Sequence, residues 1–254
     1  MKKILLSLLL FYPVMGWATE NIIDFKRIEI KAQDKKNICK VLIIECQQNE
    51  DWHLYRVKNS SNQFYVISDL KFYQLNKINK NYELLNSWDF SNYSPQKVNT
   101  FWATQGDVNE PSDHKFIYPR LFKISENTFA IALIQSFGEM YSGGGMSEER
   151  ADFFELLIDS KYKLRFQDIP FSVWRMIRAC FSYMDFDISM GKCHDDETLV
   201  LNIQYLKPYV WQMNYHYYRE LSPVSNNVKI NERKSYKIQY LIDQIYFPES
   251  WGID

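Results

Sequence analysis

Glycine and proline are scarce in this sequence, with 8 of each among 254 residues. Disordered and low-complexity chains are rich in these residues and poor in aromatics, whereas 17% of this chain is Phe, Trp or Tyr. The composition therefore excludes a largely disordered protein. Because aromatic residues suit the pleated, half-buried surface of a sheet, it also favours β structure.

The chain also lacks an excess of charge of either sign, since its formal net charge is −1 at pH 7. A nucleic-acid-binding surface normally needs a basic patch or tail, and none is visible here. The sequence therefore predicts no nucleic-acid partner.

Long hydrophobic runs are absent except at the start, which reads MKKILLSLLLFYPVMGWA. Lys2 and Lys3 precede an apolar run, and the small residues Gly16 and Ala18 follow it. This layout is typical of a secretory signal peptide, and the run is shorter than the roughly 20 residues that span a bilayer. We predict cleavage near Ala18, a periplasmic or secreted protein of residues 19–254, and no membrane span thereafter. A buried N-terminal helix or strand is the alternative.

Cysteine is limited to four residues. An even number in an exported chain favours two disulfides, and short loops favour Cys39–Cys46 and Cys180–Cys193. The first pair requires a bend, because an extended CKVLIIEC would separate its ends by roughly 23 Å. The spacings do not fit the short Cys-x2–4-Cys pairs of zinc sites.

The apolar pattern predicts a mainly β fold of antiparallel sheets, sandwich-like or barrel-like, with one or two short helices and disulfide staples. Alternation within LVLNIQY and YVWQMNYHYYREL indicates a hairpin whose aromatic stripe faces the core. DFKRIEIKA is expected to be an edge strand at best, and residues 71–78 to continue the strand before them. The spacing of apolar residues in FSVWRMIRACF predicts an amphipathic helix over 171–181. Polar residues 92–115 suggest a long loop or a subdomain junction within a single domain.

Three consecutive glycines follow the apolar strand TFAIALIQ and precede a second one, ADFFELLI. The pattern predicts a connection of about fourteen residues between them, and long connections at strand ends often carry binding residues. A flexible tip that only reverses the chain is the alternative. The partner-binding residues predicted in this segment are Met140, Tyr141, Gly143, Gly144, Gly145 and Glu148.

The densest polar cluster is DFDISMGKCHDDE, residues 185–197. One interpretation is a disulfide-pinned acidic loop that presents His194, Asp195, Asp196 and Glu197 to a partner. A second is calcium held by Asp185, Asp187 and Asp196, although Met190 occupies the position where a calcium loop needs glycine. A third is a general base formed by His194 with a neighbouring carboxylate.

Catalytic fingerprints are absent, including the metalloprotease, P-loop and dinucleotide-binding motifs. The sequence therefore favours an exported binding protein without catalysis or cofactor. The specific hypothesis is an inhibitor or immunity protein that contacts a secreted enzyme or toxin through residues 138–149 and 185–197. An exported hydrolase or metal-dependent enzyme using residues 185–197 is the alternative.

Overall fold

The computed structural model describes residues 21–43, 52–58, 60–98, 100, 110, 112–240, 243, 245, 248 and 251, and only the backbone of Tyr141. The predicted leader and Cys46 lie outside these residues. Cys39 lies in the first helix, so the predicted Cys39–Cys46 pair falls partly outside the described chain.

Twelve strands and two short helices make up the described part of the chain. Their bounds are β1 Ile22–Ile28, α1 Ala32–Leu42, β2 Trp52–Val57, β3 Gln63–Ser68, β4 Lys71–Ile78, β5 Asn81–Asp89, β6 Lys115–Lys123, β7 Phe129–Tyr141, β8 Gly144–Leu156, β9 Tyr162–Arg178, α2 Tyr183–Ile188, β10 His194–Lys207, β11 Val210–Glu220 and β12 Ile230–Gln239. The predicted β-rich class is confirmed.

All twelve strands belong to one antiparallel sheet, in the order β12-β11-β10-β9-β8-β7-β6-β1-β2-β3-β4-β5. Most neighbours are consecutive in the chain. The exception is β1, which pairs with β6 through Ile22–Asp24 and with β2 through Phe25–Ile28. The prediction of an edge strand for this segment is therefore wrong, because pairing with a strand about 100 residues away leaves no local signal.

The strand β7 is apolar on both faces because it contributes to two cores. Ala132 and Ile134 face a cluster that contains Trp211 of β11, whereas Ile131 and Leu133 face a cluster with Phe72 of β4. The ring of Trp211 lies 5.0 Å from that of Phe153 and 4.5 Å from that of Phe166. The C-terminal strands thus fold over one face of β6–β9, and the N-terminal strands cover the other.

The helix α1 packs on the remaining face of β2–β5 through Ile38 and Leu42. The last helical residue is followed by Ile43, which ends the helix in the left-handed conformation with φ 55°. Each N-terminal strand therefore carries apolar residues on both faces, which explains the continuous apolar run Phe64–Ile67 of β3.

The helix predicted over 171–181 is wrong, because these residues form the end of β9 and the three that follow it. Val173 is buried and Trp174 is exposed, as a strand requires. The charged Arg175 concealed the two-residue period, since it lies on the inner side opposite a buried partner, Glu197.

Two turns also differ from prediction. Residues 71–78 form a separate strand, β4, which reverses direction from β3 at Asp69 with φ 51°. The strands β7 and β8 continue to a two-residue turn, Ser142–Gly143, instead of a fourteen-residue connection.

The predicted hairpin of β10 and β11 is confirmed, with its aromatic stripe buried. Of the 24 residues in the predicted junction, 92–115, 11 lie outside the described chain, namely 99, 101–109 and 111.

Candidate functional site

A small lobe closed by a disulfide projects from the end of β9 and β10. Cys180 and Cys193 are bonded, and the backbone N–H of Ala179 donates to the carbonyl of Cys193 at 2.8 Å. We call residues 180–193 the disulfide lobe. A bridge across a loop of this size stabilises the folded state by roughly 3 kcal/mol, because it lowers the conformational entropy of the unfolded chain.

Within the disulfide lobe, α2 begins at a capping box. The Ser182 hydroxyl accepts from the backbone N–H of Asp185 at 3.1 Å, and the Asp185 carboxylate accepts from the backbone N–H groups of Phe181 and Ser182. The bond from the N–H of Phe181, followed by those from Ser182, lowers the pKa of Asp185. The capping box fixes a helix of only six residues, none of which is buried.

The surface of the disulfide lobe is apolar. No residue of α2 is buried, and Met190 is 91% exposed. Only small or sulfur-bearing groups lie inside the lobe, namely Ser189 and the disulfide. The exposed large apolar side chains are Phe181, Tyr183, Met184, Phe186, Ile188 and Met190. Six such residues within ten positions form a contiguous apolar projection of the type found at interaction sites.

The turn of the β7–β8 hairpin lies beside the disulfide lobe, and Arg178 connects the two. Its Nε donates to the carbonyl of Cys180 at 2.8 Å, and its guanidinium lies 5.2 Å from the ring centre of Phe181. A Cβ on Gly143 would lie 2.5 Å from the Cδ of Arg178. The two segments singled out in the sequence, 138–149 and 185–197, therefore lie near one end of the sheet, where β8 and β10 pair with opposite edges of β9.

The glycines of this turn have steric roles. Gly143 adopts φ 86°, and a Cβ on Gly145 would lie 2.5 Å from the sulfur of Met140, whose side chain is 73% exposed. The tip thereby presents Met140 beside the disulfide lobe. We call residues 140–145 the hairpin tip.

Replacing Gly143 with Ala is expected to destabilise the protein by about 1–2 kcal/mol, because an alanine resists the left-handed conformation. Urea unfolding of Gly143→Ala measures this loss. The control is Gly138→Ala, whose added Cβ would meet only the carbonyl of Met146 at 3.5 Å. Equal stability of the two variants would contradict the steric role.

Three of the predicted partner-binding residues are buried, namely Glu148, Asp195 and Glu197. Glu148 accepts from Arg150 at 3.1 Å, and Glu197 accepts from both Arg175 and Arg219. Their carboxylates are enclosed by these internal ion pairs and are not presented to a partner. Gly144 and Gly145 are also buried, whereas His194 and Asp196 are half-buried.

Asp195 fixes the segment that connects β11 to β12. Its carboxylate accepts from the backbone N–H of Ser222 at 2.7 Å, from the Ser225 hydroxyl at 2.6 Å and from the Asn227 amide at 2.7 Å. Burial would raise the pKa of Asp195, but these hydrogen bonds together hold it below its usual value. Asp195 is thus a structural acceptor, and residues 194–197 are strand rather than loop.

The residues predicted to bind calcium are separated by the fold. Asp185 caps α2, Asp187 is exposed two residues later on the same helix, and Asp196 lies on β10. Positions two apart on a helix do not share a face, so the spacing does not gather these carboxylates. Across the described residues, no group of three or more His, Cys, Asp or Glu side chains could hold a metal ion.

The residues predicted for catalysis also diverge. His194 and Asp195 are consecutive on β10, so their side chains point to opposite faces, and Asp195 is fully engaged. Asp187 belongs to the exposed helix. These residues do not form a base–carboxylate pair in a cleft.

The apolar side chains of the disulfide lobe were missed by the sequence analysis, which emphasised the acidic residues between them. A signal was present, because four of the six residues of α2 are large and apolar, namely Tyr183, Met184, Phe186 and Ile188. A short helix of this composition that has no core to enter must expose apolar residues.

Comparison with known proteins provides no relative, since no protein family, no curated protein and no solved structure matches this chain. Among the described residues, no helix has both the length and the apolar character needed to cross a membrane.

Proposed function

We propose that this chain is a non-catalytic binding protein that contacts another protein through the disulfide lobe and the adjoining hairpin tip. The observation that carries the proposal is that six large apolar side chains are exposed to water, at a cost in free energy, on a segment held rigid by a disulfide. Rigidity reduces the entropy lost on binding, and apolar contact supplies the affinity.

The partner we propose is a protein with an apolar pocket. A lipid surface is less suited, because the charged residues of the lobe are Asp185, Asp187 and Lys192, and anionic membranes attract clusters of basic residues. A projection rich in Met and aromatic residues matches the centre of protein interfaces.

The predicted leader and the Cys180–Cys193 disulfide support a periplasmic or secreted location for this function. In its specific form, the proposal is an inhibitor or immunity-type protein that inserts the disulfide lobe into a secreted enzyme or toxin. The alternative hydrolase lacks support, because the residues that it would use diverge.

The test is affinity capture from periplasmic and secreted fractions with the oxidised protein. A stoichiometric partner is expected to bind the wild type and to be lost with Met184→Ser/Phe186→Ser, because both changes remove exposed apolar contacts without disturbing a core. We expect at least about a tenfold weaker affinity, which corresponds to about 1.4 kcal/mol.

The matched control is Leu84→Ser/Leu85→Ser, which removes two exposed apolar side chains from β5. It should retain the partner. Equal capture of the partner by the lobe variant and the wild type would contradict the proposal. The proposal would also be contradicted if the wild type sedimented with lipid vesicles and the lobe variant did not.

A further inference from the structure

A second surface lies away from the disulfide lobe, where the sheet forks. The strand β10 pairs with β9 only as far as Val200, opposite Ser172, although it continues to Lys207. Within the described residues, no strand pairs with β10 on that side beyond Val200. Since β10 still pairs with β11 there, one of its two edges is open over Leu201–Lys207.

A second open edge belongs to β6. This strand pairs with β1 only through Arg120–Phe122, so residues 115–119 have no described partner on the β1 side. A strand edge presents backbone N–H and C=O groups that require partners, which makes such an edge a template for another chain.

A cleft of about 410 Å³ lies between β10 and the β1–β6 pair. It is lined by six consecutive residues of β10, 198–203, and by Ile22, Tyr118 and Arg120 from the other side. Of these six residues, Leu201, Asn202 and Ile203 belong to the open edge of β10, whereas Thr198–Val200 are paired with both β9 and β11.

The cleft is lined by both apolar and polar residues. Its apolar lining includes Phe171, Val173 and Leu199, and its polar rim includes Glu149 and Asn202. The Glu149 carboxylate already accepts from Ser172 at 2.8 Å, and Arg120 is paired with Asp24 at 2.7 Å. The charged groups are thereby satisfied, which leaves backbone pairing and apolar contacts as the main attractions.

We propose that this cleft binds an extended polypeptide segment, which adds as a strand along the open edge of β10. The bound segment is about five to seven residues long, and every second side chain is apolar and faces the partly exposed apolar lining, which includes Phe171 and Leu201. Affinity comes from main-chain hydrogen bonds and sequence preference from the apolar positions. This site is separate from the disulfide lobe and does not depend on the function proposed for it.

The test is selection of heptapeptides from a random phage-displayed library on the purified, oxidised protein. Peptides with alternating apolar residues are expected. Val200→Trp, which fills the cleft from a position that is 47% exposed, should weaken their binding by about tenfold or more. The matched control is Val228→Trp, because Val228 is 74% exposed and does not line the cleft.

Strand pairing has its own signature. Methylating alternate backbone nitrogens of a selected peptide should abolish binding in one register and leave it intact in the other, because only every second N–H pairs with the edge. Within Leu201–Tyr205, the alternate amides that point to the open edge should exchange more slowly in the complex.

Three outcomes would overturn the proposal. The first is a failure to enrich any peptide, and the second is equal binding of the peptides to the wild type and to Val200→Trp. The third is that no peptide is enriched but neutral oligosaccharides on an array bind the wild type and not Val200→Trp. The variant Met184→Ser/Phe186→Ser should still bind the peptides, so failure at one site is distinguishable from failure at the other.

Discussion

Replacing Glu197 with Gln is expected to destabilise the protein by about 3–5 kcal/mol, because it leaves two enclosed guanidinium groups without a counter-charge. Glu197 is 2% exposed and accepts from Nε of Arg175 at 2.6 Å and from Nε of Arg219 at 2.5 Å. It thereby links β9, β10 and β11 at the base of the disulfide lobe. Urea unfolding measures the loss directly.

The control for this prediction is Glu220→Gln on β11. Glu220 is exposed and lies 3.8 Å from Lys192, and exposed ion pairs of this kind contribute about 0–1 kcal/mol. In addition, Arg219→Met on the Glu197→Gln background should recover part of the stability, because it removes one uncompensated charge. A loss of under about 1 kcal/mol for Glu197→Gln would show that the two arginines find other partners or water.

Asp152→Asn is expected to gain stability relative to the wild type as the pH rises from 4 to 7. Asp152 is buried between β8 and β9 and accepts from the Tyr93 hydroxyl at 3.2 Å and the backbone N–H of Asp168 at 2.9 Å. Burial raises the pKa of Asp152 from 3.8 to about 6, against the lowering effect of these hydrogen bonds.

The folded protein therefore holds a proton on Asp152 more tightly than the unfolded chain does. The stability that neutral Asp152 contributes is complete below pH 3.8 and is lost as the pH rises through about 6. Asparagine stays neutral and avoids this loss, so the difference in unfolding free energy should shift in its favour by up to about 3 kcal/mol.

Thermal unfolding of both proteins across this pH range checks the prediction. In the protein that keeps Asp152, Tyr93→Phe should make the pH dependence of the unfolding free energy steeper, because it removes a hydrogen-bond donor to the ionised carboxylate. A constant difference between Asp152→Asn and the wild type at every pH would show that Asp152 keeps the same proton in the folded and unfolded states.

Arg175 is the residue that made the end of β9 resemble a helix. Residues 171–181 have helical spacing only because Arg175 occupies an inward position, where a strand pattern requires an apolar residue. Its partner Glu197 lies 22 residues later, so the compensation is not visible locally. A buried ion pair thus concealed both the strand and the structural role of Glu197.

The glycine segment shows a similar limit. Gly143 lies against the side chain of Arg178 and Gly145 against that of Met140, contacts that composition alone did not specify. The length of the connection was wrong, because the polar residues on either side pair across the hairpin as far as Tyr141 and Gly144. Polar residues in the outer part of a long hairpin resemble loop residues when only the sequence is read.

The sequence by itself determined the β-rich class, the apolar segments of β7 and β8 and the β10–β11 hairpin, and it favoured the Cys180–Cys193 bridge, because alternation, composition and short loop closure are local properties. Only the tertiary structure decided the position of β1 between β2 and β6, the burial of Asp195 and Glu197 and the exposure of the disulfide lobe. These depend on which distant segments pair. The same side-chain types are buried where a neighbouring strand covers them, and remain exposed on the six-residue helix α2, which no strand of the described chain covers.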